Sequence, residues 1–308
     1  MRISIIDLGT HTVLLLTVDV IDGTYSIVSQ EQRIVGLGRG IEKTGLINNE
    51  ALSETLKALE EYKSIIKNLA SEKIIMTATA VLRDASNSLN VKNKIEESTG
   101  FSIKILSGDE EAGLVYLAGT NAFPGISKAV VIDIGGGSVE FVEGKGKNIS
   151  RLISLPLGVV KLTERFITRF PVVSDELVNL ESFLDDTYKL ELKGFDTEMP
   201  HVIGVAGTFT TAAAMIQGLE KYDPAKITGS VIKKQDAFSW LKRVSDMSID
   251  EQKNIPGLHP KRAGFIVAGF ALIHSFFNLF NVDAITVSDE GLRFGVLIDC
   301  IKKNQLKR

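Results

Sequence analysis

The stretch Ile5-Ile6-Asp7-Leu8-Gly9-Thr10-His11-Thr12-Val13 aligns without gaps on Val131-Ile132-Asp133-Ile134-Gly135-Gly136-Gly137-Ser138-Val139, 126 positions later counted from Asp7 to Asp133. Each copy is an apolar, β-branched run ending in Asp, then a turn of Gly, Thr or Ser, then a second apolar run. Such a pattern predicts a β-hairpin. Its turn presents backbone N–H groups and hydroxyls, a chemistry suited to holding phosphate. A duplicated hairpin of this kind predicts an α/β chain of two similar domains facing each other across a phosphate-binding cleft. One position breaks the symmetry. Leu14 in the first copy corresponds to Glu140 in the second, so the second hairpin carries a carboxylate where the first is expected to bury a leucine.

The bulk numbers narrow the partners. At 308 residues the chain has room for two cores. A net charge of −3 argues against a broad nucleic-acid-binding surface, so a polyanion is expected to be gripped by a local cluster. The single Cys300 forms no internal disulfide, which fits a reducing compartment. Met1-Arg2 leads straight into the first strand with no secretory leader. The most apolar segment, Phe265 to Phe280, is interrupted by His274, Ser275 and Asn278 and reads as a buried helix rather than a membrane span. A cytoplasmic location without membrane contact is expected.

Alternation predicts strands at Arg2–Asp7, Thr12–Asp19 and Thr24–Ile34, with a turn at Ile21-Asp22-Gly23. Helical spacing of Leu52, Leu56, Leu59, Tyr62, Ile66 and Leu69 predicts a helix from Asn49 to Ala70. A strand at Lys73–Ala78, a helix over Asp84–Thr99, a strand at Phe101–Leu106 and a helix over Asp109–Thr120 complete a β-β-β-α-β-α-β-α order. The second half repeats it: strands at Lys128–Asp133, Ser138–Gly144 and Asn148–Ser154, helices near Val159–Arg169 and Ser174–Leu192, a strand at His201–Val205 and a helix over Thr208–Gln217. Helices at Ala237–Ser245 and Lys261–Phe280, a strand at Ala284–Ser288 and a helix from Gly291 to Lys302 close the chain. The Pro124-Gly125 turn sets the expected boundary, with domains at 1–124 and 125–308.

A third phosphate-type turn lies at Gly204-Val205-Ala206-Gly207-Thr208, between a strand and a helix start. The ordered set of Asp-x-Gly, Asp-x-Gly-Gly-Gly-Ser and Gly-x-x-Gly-Thr resembles the actin/hexokinase/Hsp70 superfamily, which implies two actin-like (ribonuclease H-like) domains. Within it, the finer resemblance is to the exopolyphosphatase/guanosine pentaphosphate phosphatase family, in its short two-domain form. The residues that carry it are Asp7–Thr12, Ala78-Thr79-Ala80-Val81-Leu82-Arg83, Ser107-Gly108-Asp109-Glu110-Glu111-Ala112, Asp133–Glu140, Pro256–Ala263 and Gly291-Leu292-Arg293-Phe294-Gly295.

The resemblance implies a phosphohydrolase that releases terminal orthophosphate from inorganic polyphosphate, or the 5′-phosphate from guanosine pentaphosphate. It assigns the water-activating base to Glu111. Helical spacing turns Glu111 toward Leu114 and Val115, with Glu110 about 100° away. Asp133 and Glu140 are candidates for Mg²⁺, which prefers one or two carboxylates plus phosphate oxygens, and Asp7 is a third. A monovalent cation such as K⁺ is a further candidate. Phosphate contacts are expected from Gly9, Thr10, His11 and Thr12, from Gly135, Gly136, Gly137 and Ser138, and from Gly207 and Thr208. Arg83 matches the family's phosphate-binding arginine; a surface ion pair with Asp84 or a helix acid is the competing reading. Arg262 and Arg293 are expected to pair with neighbouring acids. A homodimer is common in the family, yet no sequence feature marks an interface.

Two departures stand out. Where the family carries Arg-Leu-Gly-Glu-Gly, this chain has Gly36-Leu37-Gly38-Arg39-Gly40, and Phe294 replaces a common Glu. The first moves a positive charge along the loop or alters substrate preference. The short form implies a preference for shorter polyphosphates. Two further classes remain open: an ATP-dependent small-molecule kinase, and a non-enzymatic nucleotide sensor.

Overall fold

The structure, a computed structural model, describes residues 1–198 and 201–305. Its elements in chain order are β1 (Arg2–Leu8), β2 (Thr12–Ile21), β3 (Thr24–Ile34), α1 (Ile41–Thr44), α2 (Asn49–Asn68), β4 (Lys73–Ala78), α3 (Ala80–Asp84), α4 (Ser88–Thr99), β5 (Ile103–Ile105) and α5 (Gly108–Asn121). There follow β6 (Lys128–Ile134), β7 (Val139–Lys145), β8 (Asn148–Leu155), α6 (Val159–Phe166), α7 (Ser174–Glu191), β9 (Val202–Val205), α8 (Ala206–Ile216) and α9 (Pro224–Ile227). The last are β10 (Val231–Lys233), α10 (Lys234–Ser245), α11 (Ile249–Lys253), a 3₁₀ turn at Pro260–Arg262, α12 (Phe265–Leu279), β11 (Ala284–Val287) and α13 (Leu292–Gln305).

Contacts divide the chain into two compact units, Met1–Leu114 with Leu292–Arg308, and Val115–Gly291. The division departs from the expected boundary at Pro124-Gly125. It falls inside α5, and α13 returns to the first unit instead of closing the second. Packing explains the return: Gly295 brings α13 so close to α5 that a Cβ there would stand 2.1 Å from the Leu114 carbonyl.

The first unit holds a five-stranded sheet in the order β3-β2-β1-β4-β5 and the second a six-stranded sheet in the order β10-β11-β9-β6-β7-β8. Set β10 aside and the two orders correspond strand for strand. In both, a three-stranded antiparallel meander is extended by strands parallel to its first member. The registers correspond as well: Asp7 pairs with Leu14 across the first hairpin as Asp133 pairs with Glu140 across the second. The duplication read in the sequence is therefore a duplication of sheet geometry.

Local chemistry accounts for most elements. Asp22 and Gly23 take φ of 48° and 80°, the left-handed pair that a tight hairpin between β2 and β3 demands. Asn48 caps α2 by accepting from the Ala51 N–H, and Leu52, Leu59, Tyr62 and Ile66 line its buried stripe. The helix expected over Asp84–Thr99 begins at Ser88 as α4, and a separate short α3 precedes it, parted from it by extended backbone at Ala85. The long apolar helix starts at Phe265, not Lys261, because Gly264 at φ 84° ends the preceding 3₁₀ turn. The short α1, α9, β10 and α11 carry too few residues to show a period, and none was expected.

Candidate active site

The expected site residues divide between the units. In the first, Glu110 and Glu111 open α5 with opposite tasks. Glu110 accepts from the Ser107 N–H at 3.0 Å while Ser107 Oγ accepts from the Glu110 N–H at 3.1 Å, a reciprocal cap. Lys104 adds an ion pair at 2.6 Å, and together these hold the Glu110 carboxyl below its ordinary range. Glu111 is turned inward and is 6% exposed. Burial pushes its pKa up, against the opposing pull of the Arg83 guanidinium, whose Nη1 donates to Oε2 at 2.9 Å.

Arg83 stands at the end of α3. The same Nη1 donates to the Leu106 carbonyl at 3.1 Å, and Nε lies 3.8 Å from Asp84. The competing reading of Arg83 as the partner of a helix acid thus holds in part, and that acid is Glu111 itself.

Asp7 ends β1 almost buried, with Oδ1 lacking a hydrogen-bond partner. Burial first, and the charge of Glu111 second, raise its pKa to about 7; Arg293 pulls the other way. Arg293 Nη1 donates to the Leu15 carbonyl at 3.3 Å. Asp7, Glu111, Arg83 and Arg293 are therefore one electrostatic group within this unit.

The first glycine turn is closed by Gly9 N–H donating to the Thr12 carbonyl at 3.0 Å, and Thr10 and His11 are buried. The carbonyls of Thr10 and His11 are occupied from the side: Gly38 N–H donates to Thr10, and Val35 and Gly36 N–H donate to His11. Turning carbonyls into a protein buttress removes their negative ends from any anion facing the turn.

The second unit repeats this device with different parts. Gly135 N–H donates to the Ser138 carbonyl at 3.0 Å. Val159 and Val160, at the start of α6, donate to the carbonyls of Gly135 and Gly136 at 3.1 and 3.0 Å. Gly158 admits this approach: a Cβ there would lie 2.0 Å from the Gly136 oxygen. Sequence inspection passed over Gly158, whose only signal is the Pro156-Leu157-Gly158 turn before a helix.

Asp133 and Glu140 sit opposite each other on β6 and β7, on one face of the sheet, and both are buried. Glu140 is 0% exposed, with Oε1 accepting from Ser154 Oγ at 2.7 Å. Its counterpart Leu14 is half-buried, which corrects the expectation of a core leucine. The carboxylate is the deeper of the two.

The third turn runs from β9 into α8. Ala206 takes φ 70°, a conformation costly for a residue with a Cβ and one that marks functional backbone. No side chain caps the α8 N-terminus. Thr208 Oγ1 donates to the Ile134 carbonyl at 2.8 Å, tying this turn to β6. Arg262 corrects a second expectation: among the described residues it pairs with no acid. Its guanidinium lies against Gly207, where a Cβ would stand 2.5 Å from Nη2, and burial lowers its pKa to about 10. Its motif was visible in the sequence, but the α8 turn it touches lies more than fifty residues earlier. Among the described residues, no group of three or more His, Cys, Asp or Glu side chains is gathered for a metal. None of the described helices is long and apolar enough to cross a membrane.

One strand plan used in both sheets defines a duplicated α/β protein. The family pattern described as the Ppx/GppA phosphatase family matches residues 16–304, and the chain belongs to that family. It is 28% identical to Exopolyphosphatase 2 of Mycobacterium tuberculosis, over 96% of this chain and 98% of that protein. It is 30% identical to the bifunctional 3-dehydroquinate synthase/phosphatase of Fusobacterium nucleatum over 96% of its own length, but spans only 46% of that longer protein. The crystal structure of an exopolyphosphatase from Cytophaga hutchinsonii superposes with a TM-score of 0.91 at 29% identity, covering 98% of both chains.

Proposed function

We propose that the chain hydrolyses the terminal phosphoanhydride of inorganic polyphosphate, with Glu111 as the general base. The observation that carries this reading is the inward-turned, buried Glu111 with its raised pKa, oriented by Arg83, beside an exposed and fully capped Glu110. Two neighbouring carboxylates pushed in opposite directions by their surroundings are a sign of divided acid–base labour. Ionised Glu111 takes a proton from water as that oxygen bonds to the terminal phosphorus. The bridging P–O bond breaks, releasing orthophosphate and a chain one phosphate shorter. Phosphoryl transfer asks for positioning and charge neutralisation more than covalent help. Gly9–Thr12 and Gly135–Ser138 supply backbone and hydroxyl donors, Gly207 and Thr208 the start of α8, and Arg83 a planar guanidinium for phosphate oxygens. Names of relatives support polyphosphate as the substrate class.

Mg²⁺ fits the donor set. Directly opposed carboxylates on one sheet face repel each other, and Asp133 with Glu140 offer the one or two carboxylates magnesium prefers, leaving places for phosphate oxygens and water. Bound there, the ion would neutralise charge on the phosphates. Asp7, the third candidate from the sequence, lies in the first unit in one electrostatic group with Glu111.

Incubation with polyphosphate, guanosine pentaphosphate or ATP, with and without Mg²⁺ and with phosphate release followed, tests the reading. Mg²⁺-dependent orthophosphate release from polyphosphate is expected. Release from guanosine pentaphosphate alone would move the chain to the second family activity. Consumption of ATP only with a hydroxylated acceptor would make it a kinase, and no turnover of any substrate would leave a sensor.

A further inference from the structure

We propose that Arg39 anchors a non-terminal phosphate of the polyphosphate chain, making the Gly36–Gly40 segment a determinant of substrate length. The inference rests on the exopolyphosphatase reading and deepens it. Three observations place Arg39 for this task, all within the first unit. Gly38, its neighbour, lies against the first phosphate turn: its N–H donates to the Thr10 carbonyl at 2.8 Å, and a Cβ on it would stand 2.3 Å from Thr10 Cγ2. The chain that continues from this segment through α1 is fastened, at Gly45 and Ile47, to residues just past Arg83. Ser86 N–H donates to the Gly45 carbonyl, and Asn87 exchanges hydrogen bonds with Ile47 at 3.0 and 2.9 Å. The segment bearing Arg39 therefore spans from one expected phosphate contact to the neighbourhood of the other.

The third observation is how weakly Arg39 is engaged. Its backbone is fixed, with the carbonyl accepting from Asn48 Nδ2 at 2.9 Å. Among the described residues its guanidinium pairs with Glu50 alone, at 3.5 Å, with side chains 54% and 81% exposed. An ion pair so exposed contributes little and exchanges readily. A polyphosphate oxygen pair offers the same guanidinium a bidentate, charge-assisted partner of higher charge. With a terminal phosphate held at the Thr10 turn and Arg83, the rest of the chain would have to run past the loop that carries Arg39, next to Gly38. The departure Gly-Leu-Gly-Arg-Gly thus supplies a cation at the edge of the turn.

The test compares Arg39→Ala, Arg39→Lys and Arg39→Glu with the parent protein on tripolyphosphate and on long-chain polyphosphate. Binding of long chains is measured separately in a Glu111→Gln background, so that affinity is read without turnover. Arg39→Ala should raise KM for long chains about tenfold and weaken binding in step, and Arg39→Glu should do more. Lysine should restore part of the loss, and tripolyphosphate should be affected least. The salt dependence of long-chain binding should flatten in Arg39→Ala. Unchanged long-chain affinity in Arg39→Glu would overturn the inference while leaving the hydrolytic reading standing. Absence of polyphosphate hydrolysis by the parent protein would instead remove the reading beneath it.

Discussion

Glu110 and Glu111 are adjacent in the chain, yet one is stabilised as an anion and the other is strained by its charge. The difference is the helical rotation of about 100° per residue, which sends Glu110 to solvent, Lys104 and the Ser107 cap, and Glu111 into the protein. Arg83 is the main influence opposing desolvation at Glu111. A base must be ionised to work, so the rate falls as pH drops through its pKa. Removing Arg83 destabilises the ionised form and raises that pKa. Arg83→Gln should therefore shift the acid limb of the kcat–pH profile upward, beyond any change in KM. An unmoved limb would show that Arg83 serves phosphate alone.

Elements hold the two glycine turns by taking their carbonyls from outside, with Val35, Gly36 and Gly38 in one unit and the first turn of α6 in the other. Both contacts depend on a missing Cβ, but the obstacles differ. At Gly158 the added atom meets the backbone of Gly136 and Gly137; at Gly38 it meets the Thr10 methyl. Backbone cannot step aside, whereas a side chain yields part of the way. Gly158→Ala should cost about 1–3 kcal/mol of stability and most of the activity, and Gly38→Ala markedly less, as thermal unfolding and phosphate release would measure. Equal costs would contradict this distinction between a backbone and a side-chain obstacle. The hairpins themselves were legible because period-two runs ending in Asp-x-Gly specify strand, turn and register together. The buttresses were not, because Gly158 and Gly38 act through approach distances that no sequence period encodes. The burial of Glu140 was likewise missed, since Ser154, the hydroxyl that receives it, lies one strand away on β8. Arg262 was misread for a related reason: its neighbour Gly207 is distant in the chain.

At the scale of the whole molecule, one sheet plan has been used twice and then specialised. The first copy carries Leu14 and, at the start of α5, Glu111; the second carries Glu140 at the position matching Leu14. The chain does not divide cleanly at one point, because α13 belongs to the first unit. Its Arg293 reaches the Leu15 carbonyl and moderates Asp7, and its Gly295 packs on α5. Deleting residues 292–308 should therefore unfold the first unit and spare the second, with limited proteolysis cutting preferentially within 1–114. Preferential cutting within 115–291 would contradict the assignment. The proposed hydrolysis depends on one buried carboxylate, Glu111, activating the attacking water. Its most direct test is orthophosphate release from polyphosphate by Glu111→Gln at saturating substrate and Mg²⁺, beside a Glu110→Gln control. The account predicts a loss of about 10²–10⁴ in kcat for Glu111→Gln with the thermal transition preserved, and little change for the control. A Glu111→Gln protein that turns over at near the parent rate would contradict it.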